Sequence, residues 1–216
     1  MILLVAATDP EAAPLLQECP GQEVLVSGVG VMETALRLTR RLAEGPGPVE
    51  LVINFGIGGA FPGSGAGLLD VCLAEREVLA DLGICRGEAV EPLPMAITGP
   101  LTYPLSIPHV DRAAVLLARR KISCHCGVFV TVSSVSATTR RGELLRQTHN
   151  GLCENMEGAA VARVCQAFGI PCLEVRAISN MVEERDPEAW RIASAIRRCA
   201  EALAFLLADG VNPSAT

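Results

Sequence analysis

The fold is decided by the stretch Glu154-Asn-Met-Glu-Gly-Ala-Ala-Val-Ala-Arg-Val-Cys165 and the stretch Pro171-Cys-Leu-Glu-Val-Arg-Ala-Ile-Ser-Asn180. The first predicts a helix that begins on an acidic residue, and the second predicts a buried strand that ends on a polar pair. Glu157 lies where the loop becomes the helix, inside an otherwise apolar run. A carboxylate in such a place needs a partner, and Arg176 inside the strand can supply one.

Strand, glycine turn and helix alternate along the first quarter of the chain, which predicts an α/β fold with parallel strands. The same reasoning extends to the remaining segments. The predicted strands are Ile2–Ala6, Glu23–Val26, Leu51–Asn54, Leu68–Ala80, Gly127–Val135 and Cys172–Ile178. The predicted helices are Ala12–Glu18, Met32–Glu44, Val110–Lys121, Thr138 or Thr139 through Thr148, Glu157–Phe168 and Pro187–Leu207, whereas 81–108 is expected to be irregular and to line a site, Asn150-Gly151 to be a turn, and 212–216 to fray.

Composition limits the possible functions. A chain of 216 residues predicts one domain over residues 1–216, and its apolar content of 50% excludes a disordered chain. The net charge is −6 and no long Lys/Arg block is present, so nucleic acid is not an expected partner. We expect a cytoplasmic protein without a membrane segment, because the first residues form a strand-like run with no basic region before it.

Nine cysteines are the unusual feature of the composition. Several of them lie in apolar runs, which predicts buried reduced thiols rather than a disulfide framework. Cys124-His-Cys126 suggests a metal, but it lacks the second ligand pair of a zinc site, so no metal site is predicted.

Two glycine loops follow predicted strands, Gly28-Val-Gly30 and Gly56-Ile-Gly-Gly59. A dinucleotide fingerprint needs a third glycine, where Glu33 and Phe61 stand instead, and no Walker loop is present. Tight turns are therefore as good an interpretation as a ligand site. Glycines at the carboxyl ends of parallel strands would still let a small ligand approach the backbone.

Three polar residues follow strands or open helices: Glu11, Glu157 and Asn180. Taken singly, the two carboxylates are explained by helix dipoles and the carboxamide by a turn. Taken together, they predict two carboxylates and a carboxamide at one edge of the sheet.

These residues resemble the nucleoside phosphorylase and nucleosidase superfamily. The resemblance is carried by Met156-Glu157 and by Arg176–Asn180, while Ala6–Glu11, Ser27–Gly30 and Asn54–Gly59 fall in the order of the family. It covers nearly the whole chain. It implies a three-layer α/β/α fold with a central mixed, twisted sheet.

The resemblance also implies roles for particular residues. Glu157 would hold the ribose hydroxyls, Met156 would pack on the sugar, and Glu11 would activate the attacking water. Ile57 and Gly58 would line the site, and the base would lie near Val135 and Ser136. Ile57 stands where relatives often carry Ser or Thr, which favours water over phosphate as the nucleophile. Because Val135 replaces an aromatic residue, stacking on the base would come from Phe61 or Phe129.

Asn180 departs from the family pattern, since adenine-directed nucleosidases carry Asp there. A carboxamide can accept from N7–H and donate to a 6-oxo group, so Asn180 predicts a hypoxanthine-type leaving group. The implied activity is hydrolysis of a 6-oxopurine nucleoside with a bulky apolar 5′ group, by a homodimer or higher homo-oligomer without metal or organic cofactor. Alternatives are an adenine-releasing nucleosidase, a phosphorylase, a nucleoside-binding protein without catalysis, and an NAD-binding domain.

Overall fold

Short apolar strands form the centre of the molecule, and helices cover them. The computed structural model describes residues 1–211, so the tail expected at 212–216 lies outside the described residues. The strands are β1 (Ile2–Ala6), β2 (Val24–Val26), β3 (Leu51–Ala60), β4 (Val71–Leu79), β5 (Gly83–Arg86), β6 (Ala89–Pro92), β7 (Thr102–Pro104), β8 (Cys124–Thr131), β9 (Gly151–Asn155) and β10 (Cys172–Met181). The helices are α1 (Asp9–Glu18), α2 (Val31–Glu44), α3 (Met95–Thr98), α4 (Ile107–Arg119), α5 (Thr139–His149), α6 (Gly158–Phe168) and α7 (Ile192–Ala208).

The central sheet is mixed, as predicted. β1 pairs in parallel with β2 and with β3, and β3 pairs in parallel with β10, while β9 is antiparallel to β3 and β4 is antiparallel to β10. Because β10 pairs with both β3 and β4, the strands β10, β4, β8, β9 and β3 close into a ring. The sequence did not predict this closure, since it depends on pairings between distant segments.

Helices pack on both faces of the sheet, which confirms the three-layer arrangement. Alternate residues of β3 enter opposite cores, since Leu51, Ile53 and Phe55 pack with α1, α4 and α7, while Val52 packs with α2 and α6. A smaller cluster forms around Phe61, Val130 and Leu145 of α5. The expectation of one domain over residues 1–216 stays a prediction.

Three local predictions were wrong. Gly56-Ile-Gly-Gly59 is not a turn but part of β3, because β10 pairs along it from Val52 to Ala60. Gly151 belongs to strand β9 and not to the turn predicted at Asn150-Gly151, which is confined to Asn150. The last helix begins at Ile192 and not at Pro187, with hydrogen-bonded turns before it.

The glycines of β3 are explained by close packing. A Cβ at Gly58 would collide with the sulfur of Cys153, and a Cβ at Gly59 would lie 2.8 Å from Val182. Side chains at these positions would push the neighbouring strands away. These glycines therefore allow neighbouring strands to pair closely, and they do not form a turn.

The segment 81–108 is more regular than expected. It contains the β5–β6 hairpin, helix α3 and strand β7, and β7 pairs with β4. None of its residues lines the cavity described below, so the expectation that it lines a site was wrong.

Burial of the cysteines agrees with the sequence. Cys72, Cys153, Cys165, Cys172 and Cys199 are buried free thiols. Of the helices within residues 1–211, none combines the length and the apolar composition that a membrane crossing requires.

Candidate active site

A cavity of about 460 Å³ lies at the carboxyl ends of β1, β3 and β10, beside the first residues of α1 and α6. This is the edge where ligands bind in open α/β sheets. The lining residues come from every polar segment that the sequence singled out. They are Ala7, Thr8, Pro10, Glu11, Val29, Ile57, Gly58, Gly59, Val135, Glu154, Asn155, Met156, Glu157, Arg176, Ser179, Asn180, Trp190, Ile192 and Ile196.

Arg176 is the buried centre of the site, with 2% of its surface exposed. Its Nη2 donates to Oε2 of Glu157 at 3.3 Å, its Nε donates to Oε1 of Glu174 at 2.9 Å, and its Nη1 donates to the carbonyl of Ile57 at 3.2 Å. Burial alone would lower the pKa of Arg176, but the charges of Glu174, Glu157 and Glu11 raise it above its usual value. The guanidinium is therefore a permanent cation, and the three acceptors hold its planar set of N–H donors in place.

Glu157 is held by two donors. Besides Arg176, the backbone N–H of Gly30 donates to its Oε1 at 3.0 Å. Gly30 has φ 89°, a conformation that favours glycine, and this turn aims its N–H at the carboxylate. The carboxamide oxygen of Asn155 accepts from the N–H groups of Glu157 and Gly158, at 3.0 and 2.7 Å, which fixes the start of α6. The pairing of Glu157 with Arg176 agrees with the sequence prediction.

Glu11 is fixed in a similar way. Its Oε2 accepts from the Thr8 hydroxyl at 2.8 Å, and its Oε1 accepts from the N–H of Ile57 at 3.1 Å. Thr8 is also the N-cap of α1. A Cβ at Gly56 would collide with Oε1 of Glu11 and lie 3.0 Å from Nη1 of Arg176, so glycine makes room for both groups. Each carboxylate oxygen keeps a free acceptor site.

Asn180 owes its orientation to a β-bulge. Ile178 pairs with Gly58 and Asn180 pairs with Gly59, so Ser179 is the extra residue. The Ser179 hydroxyl donates to Oδ1 of Asn180 at 2.8 Å, and Nδ2 of Asn180 donates to the carbonyl of Met181 at 3.1 Å. One lone pair and one N–H of the carboxamide remain for a ligand.

The predicted site residues line the cavity, except Ser136 and the two proposed stacking residues, Phe61 and Phe129. Val135 lines the cavity, but Ser136 is buried behind it. The N–H and the hydroxyl of Ser136 donate to Oε1 and Oε2 of Glu154, at 3.0 and 2.6 Å. Burial raises the pKa of Glu154, and the two bonds from Ser136 oppose that shift. Sequence reasoning missed Glu154 as a site residue, because strand β9 was not predicted.

The stacking residues were predicted wrongly. Phe61 and Phe129 are fully buried in the core and do not line the cavity. Among the aromatic residues of 1–211, the one that lines it is Trp190, with the guanidinium of Arg185 4.9 Å above its ring. Its position in the sequence, ten residues after Asn180 at the end of β10, could have indicated that Trp190 lies near the site.

A second pair of acids lies behind the cavity, Glu77 on β4 and Glu174 on β10, both with no exposed surface. Glu77 accepts from the Thr131 hydroxyl at 2.7 Å and from Nδ2 of Asn155 at 2.6 Å. Burial, and next the charge of Glu174, raise the pKa of Glu77 well above its ordinary value. Among the described residues, no group with a fixed hydrogen donates to Oε2 of Glu174. A protonated Glu77 carboxyl can donate to it. Glu174 is then the charged member, paired with Arg176.

The chain is similar to known proteins over nearly its whole length. The model of the phosphorylase superfamily matches residues 3–209. Futalosine hydrolase of Thermus thermophilus is 36% identical over 185 residues, which cover 86% of this chain and 80% of that protein. Futalosine hydrolase of Streptomyces coelicolor is 38% identical over 192 residues, covering 86% and 78%.

Solved structures show the same fold. Futalosine hydrolase of Helicobacter pylori superimposes with a TM-score of 0.82 at 20% identity, over 96% of this chain and 97% of that one. The 5′-methylthioadenosine/S-adenosylhomocysteine nucleosidase of the same organism, bound to butyl-thio-DADMe-Immucillin-A, gives the same values.

Proposed function

Because this chain belongs to the phosphorylase superfamily and, within it, to the futalosine hydrolases, we propose that it hydrolyses the N-glycosidic bond of futalosine. The products are hypoxanthine and dehypoxanthine futalosine, in menaquinone biosynthesis. The observation that carries the proposal is the meeting of Glu11, Glu157 and Asn180 in one cavity. The family resemblance implies Asp at the place of Asn180 in adenine-directed nucleosidases. The ligand is a small nucleoside, and no step needs a metal or an organic cofactor.

Glu157 binds and stabilises the sugar. An ionised carboxylate accepts from two ribose hydroxyls, and its charge lies near the sugar ring as that ring becomes cationic. Arg176 and the N–H of Gly30 hold the carboxylate before substrate arrives, so little reorganisation is needed. Met156, also in the cavity wall, provides an apolar surface for the sugar face.

Glu11 activates water. Its two oxygens are held by Thr8 and Ile57, and either can still accept a proton from a bound water. The water oxygen forms the new bond to C1′, its proton passes to Glu11, and the bonding pair of the glycosidic bond leaves with the base.

Asn180 stabilises the leaving base. Its free lone pair accepts from N7–H, and its free N–H donates to the 6-oxo group. A carboxamide cannot give up a proton, so the proton at N7 comes from solvent. The role of Asn180 is to favour the protonated 6-oxopurine, and a purine with a 6-amino group presents the wrong donor to it.

Water is favoured over phosphate by the charge of the cavity. Glu11, Glu154 and Glu157 face it, whereas Arg176 is the lining residue with a positive charge. That charge is already paired with Glu157 and Glu174. A phosphate dianion would therefore meet net negative charge.

A test offers futalosine, inosine, adenosine and methylthioadenosine with and without phosphate, and identifies the released base by chromatography. We expect hypoxanthine from futalosine, at a rate that does not depend on phosphate. Adenine release would support a methylthioadenosine or adenosylhomocysteine nucleosidase, and phosphate dependence would support a phosphorylase. Binding without turnover would support a nucleoside-binding protein.

The variant Asn180→Asp tests base recognition in the same assay. Aspartate can accept from a 6-amino group, so we expect the preference to move from hypoxanthine nucleosides toward adenine nucleosides by about 10-fold or more. Asp186→Asn, an exposed change six residues further along the chain, is the matched control. An unchanged preference in Asn180→Asp would contradict the base-recognition argument.

We also propose a homodimer or higher homo-oligomer. Support comes from exposed apolar residues beside the cavity, since Val29, Met32 and Leu36 expose 54%, 81% and 63% of their surface. Met32 and Leu36 are one turn apart on α2, and Val29 itself lines the cavity. An apolar strip of this kind is typical of a contact surface.

A further inference from the structure

Glu77 is a buried acid to which the hydrolysis described above gives no role. It lies on β4, has no exposed surface and does not line the cavity. Burying a carboxyl group is costly unless its atoms are hydrogen-bonded. An acid in such a place therefore acts through the groups that it contacts, and two sets of contacts lead from Glu77 to the cavity.

The first set of contacts leads to the start of α6. Oε1 of Glu77 accepts from Nδ2 of Asn155 at 2.6 Å. With its nitrogen held in this way, Asn155 turns its oxygen toward the N–H of Glu157, from which it accepts at 3.0 Å. The Thr131 hydroxyl donates to Oε2 of Glu77 at 2.7 Å and accepts from the N–H of Ala159 at 2.8 Å. Glu77 thus reaches the backbone of Glu157 and the first turn of α6 through two side chains.

The second set of contacts leads to the carboxylate of Glu157. Glu77 and Glu174 adjoin at Gly158, where an added Cβ would collide with Oε1 of Glu77 and with Oε2 of Glu174. A proton on Glu77 can bond this oxygen of Glu174, to which no group with a fixed hydrogen donates among the described residues. The other oxygen of Glu174 accepts from Nε of Arg176 at 2.9 Å, and Nη2 of Arg176 donates to Glu157 at 3.3 Å.

The two sets of contacts control different parts of Glu157. Asn155 fixes the backbone from which the side chain leaves, whereas Arg176 fixes the carboxylate at its end. A glutamate side chain has three rotatable bonds, and holding it in one arrangement costs conformational entropy. Because hydrogen bonds weaken as their distances and angles depart from the best values, a carboxylate that binds two hydroxyls at once needs both of these supports.

We propose that Glu77 is a positioning residue that presents Glu157 to the sugar hydroxyls. It acts on the backbone of this residue through Asn155 and on its carboxylate through Glu174 and Arg176. The role of Glu157 in sugar binding rests on the proposed function. Since Glu77 does not touch the ligand, its loss should weaken recognition of the sugar hydroxyls and leave the contacts with the base unchanged.

Two ligands that differ in one sugar hydroxyl test the proposal without relying on turnover. They are formycin B, a nucleoside in which a carbon–carbon bond joins a 6-oxo base to ribose, and its 2′-deoxy derivative. Their affinities are measured by calorimetry for the parent protein, Glu77→Ala and Glu77→Gln. The parent should prefer formycin B by about 10-fold or more, because the 2′-hydroxyl donates to a charged acceptor. In Glu77→Ala the preference should fall to about 3-fold or less, since both sets of contacts are lost.

Glu77→Gln separates the two sets of contacts. Its amide keeps the size of the side chain and a donor for Glu174, but its nitrogen cannot accept from Asn155. The preference for formycin B should therefore lie between those of the parent and of Glu77→Ala. If Glu77→Ala does not fold, the test rests on Glu77→Gln, whose preference must still be lower than that of the parent.

The matched control is Glu75→Ala, an exposed change on the same strand, which should bind both ligands as the parent does. Thermal unfolding of each variant shows whether it is folded at the temperature of the binding measurement. If Glu77 only stabilised the fold, its variants would weaken both ligands alike, and an unchanged ratio of the two affinities overturns the proposal. A parent that binds the two ligands equally, or binds neither, overturns it as well.

Failure of the proposed function gives a different result. If the parent prefers formycin B, and Glu77→Ala does not, but no hypoxanthine is released from futalosine, the proposed function is contradicted. The positioning of Glu157 by Glu77 is then still supported, because it is measured with ligands that cannot be hydrolysed.

Discussion

At the scale of single residues, Glu11 is the group on which hydrolysis depends most directly. Replacing it by Gln keeps an acceptor for the N–H of Ile57 but removes the base that takes the proton from water. We expect kcat for futalosine to fall about 10²- to 10⁴-fold, with little change in the affinity for hypoxanthine, because Glu11 acts on water and not on the base. Steady-state kinetics and calorimetry measure the two quantities.

The control for this variant is Glu18→Gln, an exposed change at the end of the same helix α1. It should leave both quantities unchanged. If Glu11→Gln retains the parent rate, the general base lies elsewhere. If it lowers the rate only by weakening ligand binding, Glu11 positions substrate and does not activate water.

The sequence was informative about some of these residues for physical reasons. Glu11 and Asn180 follow predicted strands, and the chain direction predicts that such residues meet at one edge of a parallel sheet, while Glu157 opens a helix. Glu154 could not be found in this way. Its place in the cavity depends on β9, a strand of five residues whose pairing with β3 joins segments almost a hundred residues apart.

At the scale of the elements, β4 and β10 hold the buried pair of Glu77 and Glu174 that supports Arg176. Because burial and the charge of Glu174 raise the pKa of Glu77, the folded protein keeps a proton that the unfolded chain releases near its ordinary pKa. The stability contributed by this group is therefore complete at low pH and is lost as pH rises from about 4.5 toward the raised pKa, by up to about 1.4 kcal/mol per pH unit.

The variant Glu77→Gln makes that dependence visible. Its amide can donate to Glu174, but its nitrogen cannot accept from Nδ2 of Asn155, which costs about 1–3 kcal/mol at every pH. We expect the free energy of unfolding of Glu77→Gln to rise relative to that of the parent between about pH 5 and 8. Urea unfolding at several pH values measures the difference.

Glu75→Gln, exposed on the same strand β4, is the control, and its free energy of unfolding should change with pH as that of the parent does. A constant difference between Glu77→Gln and the parent across this pH range would show that Glu77 is ionised in the folded protein. The companion variant Glu174→Gln removes a buried charged partner of Arg176 and should destabilise the protein by about 3–5 kcal/mol.

At the scale of the whole molecule, local patterns predicted an α/β fold and the family resemblance implied its three layers, but neither predicted the closure of the sheet. Alternation of strands, glycines and helices was enough for an α/β fold, since each element carries its own periodicity. β3 was predicted to end at Asn54, because glycines usually interrupt strands. It continues to Ala60, since tight pairing with β10 and β9 on either side requires residues without side chains. Such a requirement arises only after the strands are assembled.

Oligomer formation is the last prediction that belongs to the whole molecule. The apolar strip of Val29, Met32 and Leu36 lies at the mouth of the cavity, so we expect copies of the chain to associate there. The double variant Met32→Glu and Leu36→Glu places charges in that contact and should give a monomer by light scattering. Because Val29 both lines the cavity and lies in the strip, the monomer should also show a raised KM for futalosine.

A second apolar surface provides the matched control for this association. Met95 and Ile97 on α3 each expose 72% of their surface and do not line the cavity. The double variant Met95→Glu and Ile97→Glu should keep both the mass and the KM of the parent. A parent that is monomeric at micromolar concentration, or an assembly that dissociates only when α3 is changed, would show that α2 is not the contact. Since the α3 residues do not line the cavity, an α3 contact would leave substrate binding independent of assembly, whereas the α2 contact links the two.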